Sequence, residues 1–242
     1  MVKDWKRMPI LDIGVDEAGR GPLIGDMVVA GVLADRDLIF NLVHDGLAES
    51  KELGSIKRRE ICYKAVRKGV LIVAVYISPW RIDSENLNNL EAEAIKWIIK
   101  VMGSVIGKVN NAEINVYIDE IKGRSHIVKQ IIADYLKSKV EEIRVEPDAD
   151  KNYPVVALAS IFAKVLRDSS IRPLKKLFGE FGSGYPSDPR LNSWLKTNYS
   201  SSRKPPSFIR RSWSNLSDKA PSWYISKKKT AKHRTLLDFT KR

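Results

Sequence analysis

The sequence predicts a mixed α/β sheet flanked by helices, followed by a helical C-terminal portion. Three observations carry this. Up to residue 150, short β-branched apolar runs alternate with segments of helical periodicity. Turns rich in glycine and proline separate them. Beyond Pro154 the strand-like runs stop and helical spacing takes over.

In order, residues 11–17 and 26–34 read as strands separated by a Gly/Pro turn. Residues 55–68 read as an amphipathic helix, and 70–77 as a strand that Pro79 stops. Residues 90–106 carry Ala94, Ile95, Ile98, Ile99 and Met102 at helical spacing, with Glu91 and Glu93 in the expected first turn. A strand at 114–119, a helix at 125–139 and a short strand at 143–145 complete the alternation. Helices follow at 155–168, extendable toward 178, then at 190–199 and 207–219. Residues 221–242 read as a poorly ordered tail rich in Lys and Ser. No internal repeat is evident.

The chain has 242 residues, 43% of them hydrophobic, which suffices for an ordinary core and excludes wholesale disorder. A single cysteine, Cys62, rules out an intrachain disulfide or a cysteine-based zinc site and points to a reducing compartment. The longest apolar run, 70–77, is too short for a bilayer, and no secretory signal follows Met1. The expectation is a cytoplasmic protein, with a monomer as the default.

The formal charge is +13 and it is unevenly placed. From Lys196 onward there are 13 Lys/Arg against two acids, Asp218 and Asp238, whereas the preceding 195 residues carry a net of only +2. Such a basic C-terminal fifth suits a polyanion binder, although a solubilising tail has the same look. Tyr199, Phe208, Trp213, Trp223 and Tyr224 interleave with the cations, and flat rings can stack on bases, which favours nucleic acid.

The most informative stretch is Asp16-Glu17-Ala18-Gly19-Arg20-Gly21-Pro22, directly after an apolar strand. Its glycine spacing fits neither a dinucleotide fingerprint nor a P-loop. A turn with Asp16 capping local amides is the bland alternative. Neighbouring strand residues point to opposite faces, so Asp16 and Glu17 reach one site only where the strand ends or twists. Asp119 ends another strand, and Asp150 precedes the helix that Pro154 opens. Acids at several strand ends suggest convergence. Clustered carboxylates repel unless a cation is present, and oxygen-only ligands suit Mg²⁺ or Mn²⁺. The three histidines, His44, His126 and His233, lie far from these acids in sequence, which disfavours a histidine-based zinc site or a Ser-His-Asp triad.

These residues resemble the ribonuclease HII family, the type 2 ribonucleases H. The likeness runs from the Asp16–Pro22 motif through Met27-Val28-Val29-Ala30 and Ser50-Lys51-Glu52-Leu53 to Ile118-Asp119. It continues in Ala149-Asp150, Tyr153-Pro154-Val155-Val156, Ala159-Ser160-Ile161-Phe162-Ala163-Lys164-Val165 and Arg167-Asp168. Gly182-Ser183-Gly184-Tyr185-Pro186-Ser187-Asp188-Pro189 resembles the archaeal form of a later motif. Glu49 departs from the family's usual Asp, and Pro147-Asp148-Ala149-Asp150 departs from its His-Lys-Ala-Asp. Asp150 is preferred to Asp148 because its distance to Tyr153-Pro154 matches the family's. Glu120, beside Asp119, is also unusual there.

The resemblance implies an RNase H-like catalytic domain over 1–180, a helical substrate-binding portion over 181–220 and a basic tail over 221–242. It implies endonucleolytic cleavage of RNA in RNA–DNA hybrids and at ribonucleotides within duplex DNA, leaving 5′-phosphate and 3′-hydroxyl ends. Asp16, Glu17, Asp119 and Asp150 would be catalytic and would hold Mg²⁺ or Mn²⁺. Gly19, Arg20 and Gly21 would read the 2′-hydroxyl, and Tyr185 would pack on the adjoining deoxyribose. Ser50 and Lys51 could bind phosphate, although an exposed lysine is more often merely solvated. Two rival classes are another four-acid metal nuclease, such as an exonuclease, and a non-catalytic nucleic-acid binder. The second expects an acid to be missing, and all four are present.

In the tail, His233-Arg234-Thr235-Leu236-Leu237-Asp238-Phe239-Thr240 resembles the peptide by which replication and repair enzymes dock onto a sliding clamp, with His233 where Gln is usual. The spacing of Leu236 and Phe239 suits one helical turn that fills an apolar pocket. The alternative is a short helix packing on its own domain.

Overall fold

A computed structural model describes residues 8–44, 54–109, 111–136 and 140–227. Five strands form one sheet in the order β3-β2-β1-β4-β5: β1 Ile10–Ala18, β2 Met27–Asp35, β3 Leu71–Ile77, β4 Glu113–Asp119 and β5 Val140–Glu146. β1, β2 and β3 pair antiparallel, while β4 and β5 run parallel to β1. The expected mixed sheet is thus present. β5 is longer than the 143–145 strand expected, because its alternation of charged and aliphatic residues suits a half-covered edge.

Two helical layers cover the sheet. On one face, α4 (Leu87–Ile106) and α5 (Ser125–Leu136) bury Ile95, Ile98, Ile99, Met102, Val128 and Ile132 against Ile13, Val15, Val116 and Ile118. On the other face lie α1 (Arg36–His44), α2 (Ser55–Arg67) and α7 (Pro154–Phe178), over Ala30, Val32 and Tyr117. α7 crosses β1 at close range: a Cβ on Gly14 would lie 2.4 Å from the carbonyl oxygen of Val155. Only glycine allows that approach, and it sets the start of α7 directly over β1.

Several expectations are corrected. Pro79 does not merely stop β3; Ser78 caps and Pro79 opens a short helix, α3 (Pro79–Ser84). α4 begins at Leu87 with Asn86 as its cap, so Glu91 lies in the second turn and is buried. α6 (Ala149–Asn152) precedes α7, and α7 runs through to Phe178 despite Pro173 inside it. α8 (Pro189–Asn198) matches the expected helix, whereas only α9 (Asn215–Lys219) forms within 207–219. There Pro205 and Pro206 stiffen the chain, and Ile209 bridges antiparallel to Ile24.

The C-terminal portion has its own apolar cluster: Phe181, Leu191, Trp194, Phe208, Leu216 and Trp223, closed by Leu23 and Ile24 from the β1–β2 loop. Phe208 and Trp223, expected as stacking rings, are therefore core residues, and the described chain is packed beyond Pro221, where a loose tail was expected. Each such large side chain stabilises by about 1.5–3 kcal/mol. No helix among the described residues is long and apolar enough to cross a membrane.

Candidate active site

The parallel register sets Val15 beside Ile118, so Asp16 and Asp119 follow as neighbours at adjacent strand ends. Both occupy the face under α7. Glu17 should point away, but at the strand's last turn its carboxylate swings back, and oxygens of Asp16, Glu17 and Asp119 lie within 4.8 Å of one another. The Asp16 carboxylate folds onto the chain, where Oδ1 accepts from the Glu17 amide at 2.7 Å. Ser160 of α7 also hydrogen-bonds it. Asp119 Oδ1 accepts from the Ala149 amide at 2.9 Å, which ties β4 to the start of α6.

Burial, then the charge of Glu17, holds the Asp16 carboxyl well above the usual carboxylate range. Asp119 is raised too, first by burial, with Glu17, Asp150 and Asp148 adding to the effect and the Ala149 amide opposing it. Three acids pressed together on oxygen-only donors fit a hard divalent cation, whose charge would reverse these shifts.

Asp150 lies outside the three-residue set, half-buried on α6, with its charge felt at Asp119. Asp148 is exposed, in left-handed backbone at φ 56°, and pairs with Lys151 Nζ at 2.6 Å. Glu120 turns away to accept from Ser125 Oγ at 2.6 Å. Ser50, Lys51, Leu236 and Phe239 lie outside the described residues.

The glycine-rich loop borders the acids. Gly19 has φ +83°, and a Cβ there would lie 2.5 Å from the Arg167 side chain, so the position requires glycine on both counts. The Arg20 side chain turns onto α4, where Glu91 and Asn88 accept its guanidinium, leaving the loop backbone to face the pocket. The Tyr185 ring stands against Gly21, 40% exposed, with the Arg167 guanidinium 5.9 Å from its centre.

Sequence reasoning missed Arg210. It is one of the 13 cations of the basic C-terminal fifth, yet it is fully buried and donates to the carbonyls of Gly25 (2.9 Å), Arg20 (3.0 Å) and Gly19 (2.6 Å). Burial pulls its pKa down to about 9, so it remains charged at neutral pH, with Asp26 as the nearby acid. Trp213 Nε1 adds a bond to the Gly21 carbonyl at 2.9 Å. The C-terminal portion therefore grips the backbone of the loop beside the acids. Charge counting offered no signal for this, since a buried and an exposed arginine read alike in sequence.

Comparisons with known proteins define the class. The chain is 32% identical to the ribonuclease H2 of Pyrococcus horikoshii, with a TM-score of 0.75 over 88% of this chain and 99% of that one. It is also 32% identical to the RNase HII in a PCNA:RNase HII complex structure from Archaeoglobus fulgidus, with a TM-score of 0.70 over 94% and 100% of the chains. The fold is therefore that of the RNase H-like nucleases. A model of the ribonuclease HII family matches residues 13–216, and a Hyperthermus butylicus ribonuclease HII is 40% identical over 94% of this chain and 93% of its own. The chain belongs to the ribonuclease HII family and is an endoribonuclease, a hydrolase of phosphodiester bonds.

Proposed function

We propose that this ribonuclease cuts the RNA strand of RNA–DNA hybrids and also cuts at ribonucleotides embedded in duplex DNA, leaving 5′-phosphate and 3′-hydroxyl ends. The observation that carries this is the meeting of Asp16, Glu17 and Asp119 beside a glycine loop and the Tyr185 ring, which line one open pocket. Asp16, Glu17, Asp119 and Asp150 would hold Mg²⁺ or Mn²⁺, which when bound supplies activated water and charge neutralisation at the phosphate. Ser160 and the Ala149 amide orient Asp16 and Asp119. The amides around Gly19 and Gly21 approach the 2′-hydroxyl, and Tyr185 covers the next sugar. Cys62 is buried and free, and burial pushes its thiol up to about 12, which keeps it an unreactive thiol and is compatible with the cytoplasmic location proposed for the protein.

An end-blocked duplex with one ribonucleotide should be cut internally in the presence of either ion. Digestion only from a free end would overturn the reading in favour of an exonuclease. In the same assay Asp150→Asn should lose about 10²-fold or more, while Asp148→Asn stays within a few-fold of wild type. The reverse order would move the fourth acid to Asp148. Tyr185→Ala should lower cleavage at the isolated ribonucleotide more than duplex binding; equal losses would leave the ring without a reading role.

The tail residues Leu236 and Phe239 are proposed to dock onto a sliding clamp. The Archaeoglobus fulgidus relative, whose structure is of a complex with PCNA, supports this. Leu236→Ala with Phe239→Ala should abolish clamp binding in a pull-down and leave solution cleavage unchanged. A clearly lower melting temperature would assign the segment to the fold instead.

A further inference from the structure

Residues 19–21 hold a single side chain, that of Arg20, between two glycines that restrain the backbone little. Arg210 grips the carbonyls of Gly19 and Arg20, and Trp213 that of Gly21, which fixes the loop from the C-terminal portion. The other hold on the loop comes from α4. Glu91 is only 3% exposed, and among the described residues its carboxylate meets the Arg20 guanidinium and no other cation. A carboxylate so deeply placed needs a countercharge, and losing either partner strands the other. Asn88, nearly one helical turn earlier, accepts from Nη2 of the same guanidinium and donates through Nδ2 to the Lys122 carbonyl at 3.0 Å. Beside it, Asn89 accepts from Nη2 and Nε of Arg124, at 2.7 and 2.9 Å.

These bonds join two segments that leave neighbouring strands. Residues 19–21 follow Asp16 and Glu17 at the end of β1, and residues 120–124 follow Asp119 at the end of β4. The first turns of α4 span both, so they tie the glycine loop to the segment beyond Asp119 as well as to the helix itself. A buried ion pair stabilises little relative to apolar packing of the same size; what it can supply is a single permitted geometry. We propose that Glu91 and Asn88 are positioning residues for the choice of ribonucleotide over deoxyribonucleotide. Through the Arg20 side chain they hold the backbone of residues 19–21 where it meets a 2′-hydroxyl of the strand bound at the acids. This rests on the reading above, in which that backbone approaches the 2′-hydroxyl. Glu91 and Asn88 touch no reacting atom, and Arg20 is their lever on the loop.

The test compares affinity for two DNA duplexes identical but for one ribonucleotide, with cleavage stopped by chelator. The wild-type protein should prefer the duplex with the ribonucleotide. Glu91→Met should cut that preference about tenfold, the worth of one misplaced hydrogen bond, and leave affinity for the all-deoxy duplex within about twofold of wild type. Asn88→Ala, a smaller change at a half-buried position, should cut the preference about threefold in the same way. Glu91→Gln should retain most of it, because its amide oxygen still accepts from the guanidinium. A general folding defect would weaken binding of both duplexes together. In Arg20→Gln, where the lever is gone, adding Glu91→Gln should lower the preference no further. The proposal is overturned if Glu91→Met or Asn88→Ala, folded by its melting curve, keeps the wild-type preference or loses affinity for both duplexes alike. It is overturned equally if the Arg20 and Glu91 effects multiply. A wild-type protein without any preference would instead sink the 2′-hydroxyl reading, and the positioning role with it.

Discussion

Asp16→Asn should remove nearly all cleavage and yet make the metal-free protein more stable at neutral pH. In the reading proposed above Asp16 is a cation ligand at the reacting phosphate, and its loss would forfeit several kcal/mol of transition-state stabilisation, a fall of about 10³-fold or more. Asp119→Asn should behave alike, and its amide oxygen can still accept from Ala149. The stability effect has the opposite sign because Asp16 is buried beside Glu17 and Asp119. Its carboxyl is raised above the ordinary 3.8, so the folded state holds the proton more tightly than the unfolded chain. Stability is therefore lost as pH rises above that ordinary value, and the neutral amide escapes the loss. Melting curves in chelator should show the variant above wild type at pH 7, by about 2–4 °C for each kcal/mol relieved. The gap should close as pH falls toward 4. A variant that cleaves normally, or that is less stable in chelator at pH 7, would refute this account of the site.

Arg210→Met should be the most damaging single change outside the acids. It removes a buried guanidinium and leaves the carbonyls of Gly19, Arg20 and Gly25 without their donor. Unsatisfied buried acceptors cost about 1–3 kcal/mol each, and some relax onto water, so a total of roughly 3–5 kcal/mol is expected. Denaturant unfolding should show it, and cleavage should fall even where the variant is fully folded, because the loop backbone is no longer held. Arg210→Lys should rescue little, since one ammonium cannot span three carbonyls. An unchanged unfolding midpoint would mean that the loop is held by the Ile24–Ile209 bridge and Trp213 alone.

How far the sequence carried the fold depends on which forces act locally. Runs such as Ile13–Val15 and Ile114–Ile118 are apolar with the strand period, so the sheet was legible; helix α4 announced itself by its apolar spacing. α3 is hidden in the sequence because a proline after a strand reads as a stop, whereas after the capping Ser78 it opens a helix. The acids were legible because strand ends followed by glycine or a helix are where α/β chains place ligands. The partners of those acids were not. Ser160 reaches Asp16 only because Gly14 admits α7, and Arg210 reaches the loop across 185 to 191 residues of sequence. Phe208 and Trp223 misled for the same reason, since the cluster that buries them is assembled from distant segments.

Two buried aspartates on one face of β1 are treated in opposite ways. Asp12 receives its countercharge from within the chain: Arg36 grips both its oxygens, at 2.7 and 2.9 Å. Asp16, four residues along, faces Glu17 and Asp119 instead. The chain thus completes one end of the strand by itself and leaves the other to be completed by solution. The divalent ion proposed for that end would bind the folded state and not the unfolded one, so ion concentration would become a variable of folding as well as of catalysis. At a hundred times its dissociation constant such an ion would add about 2.7 kcal/mol. Chelation should then act on this protein as a destabilising mutation does, and heat tolerance should track the ionic supply of its surroundings.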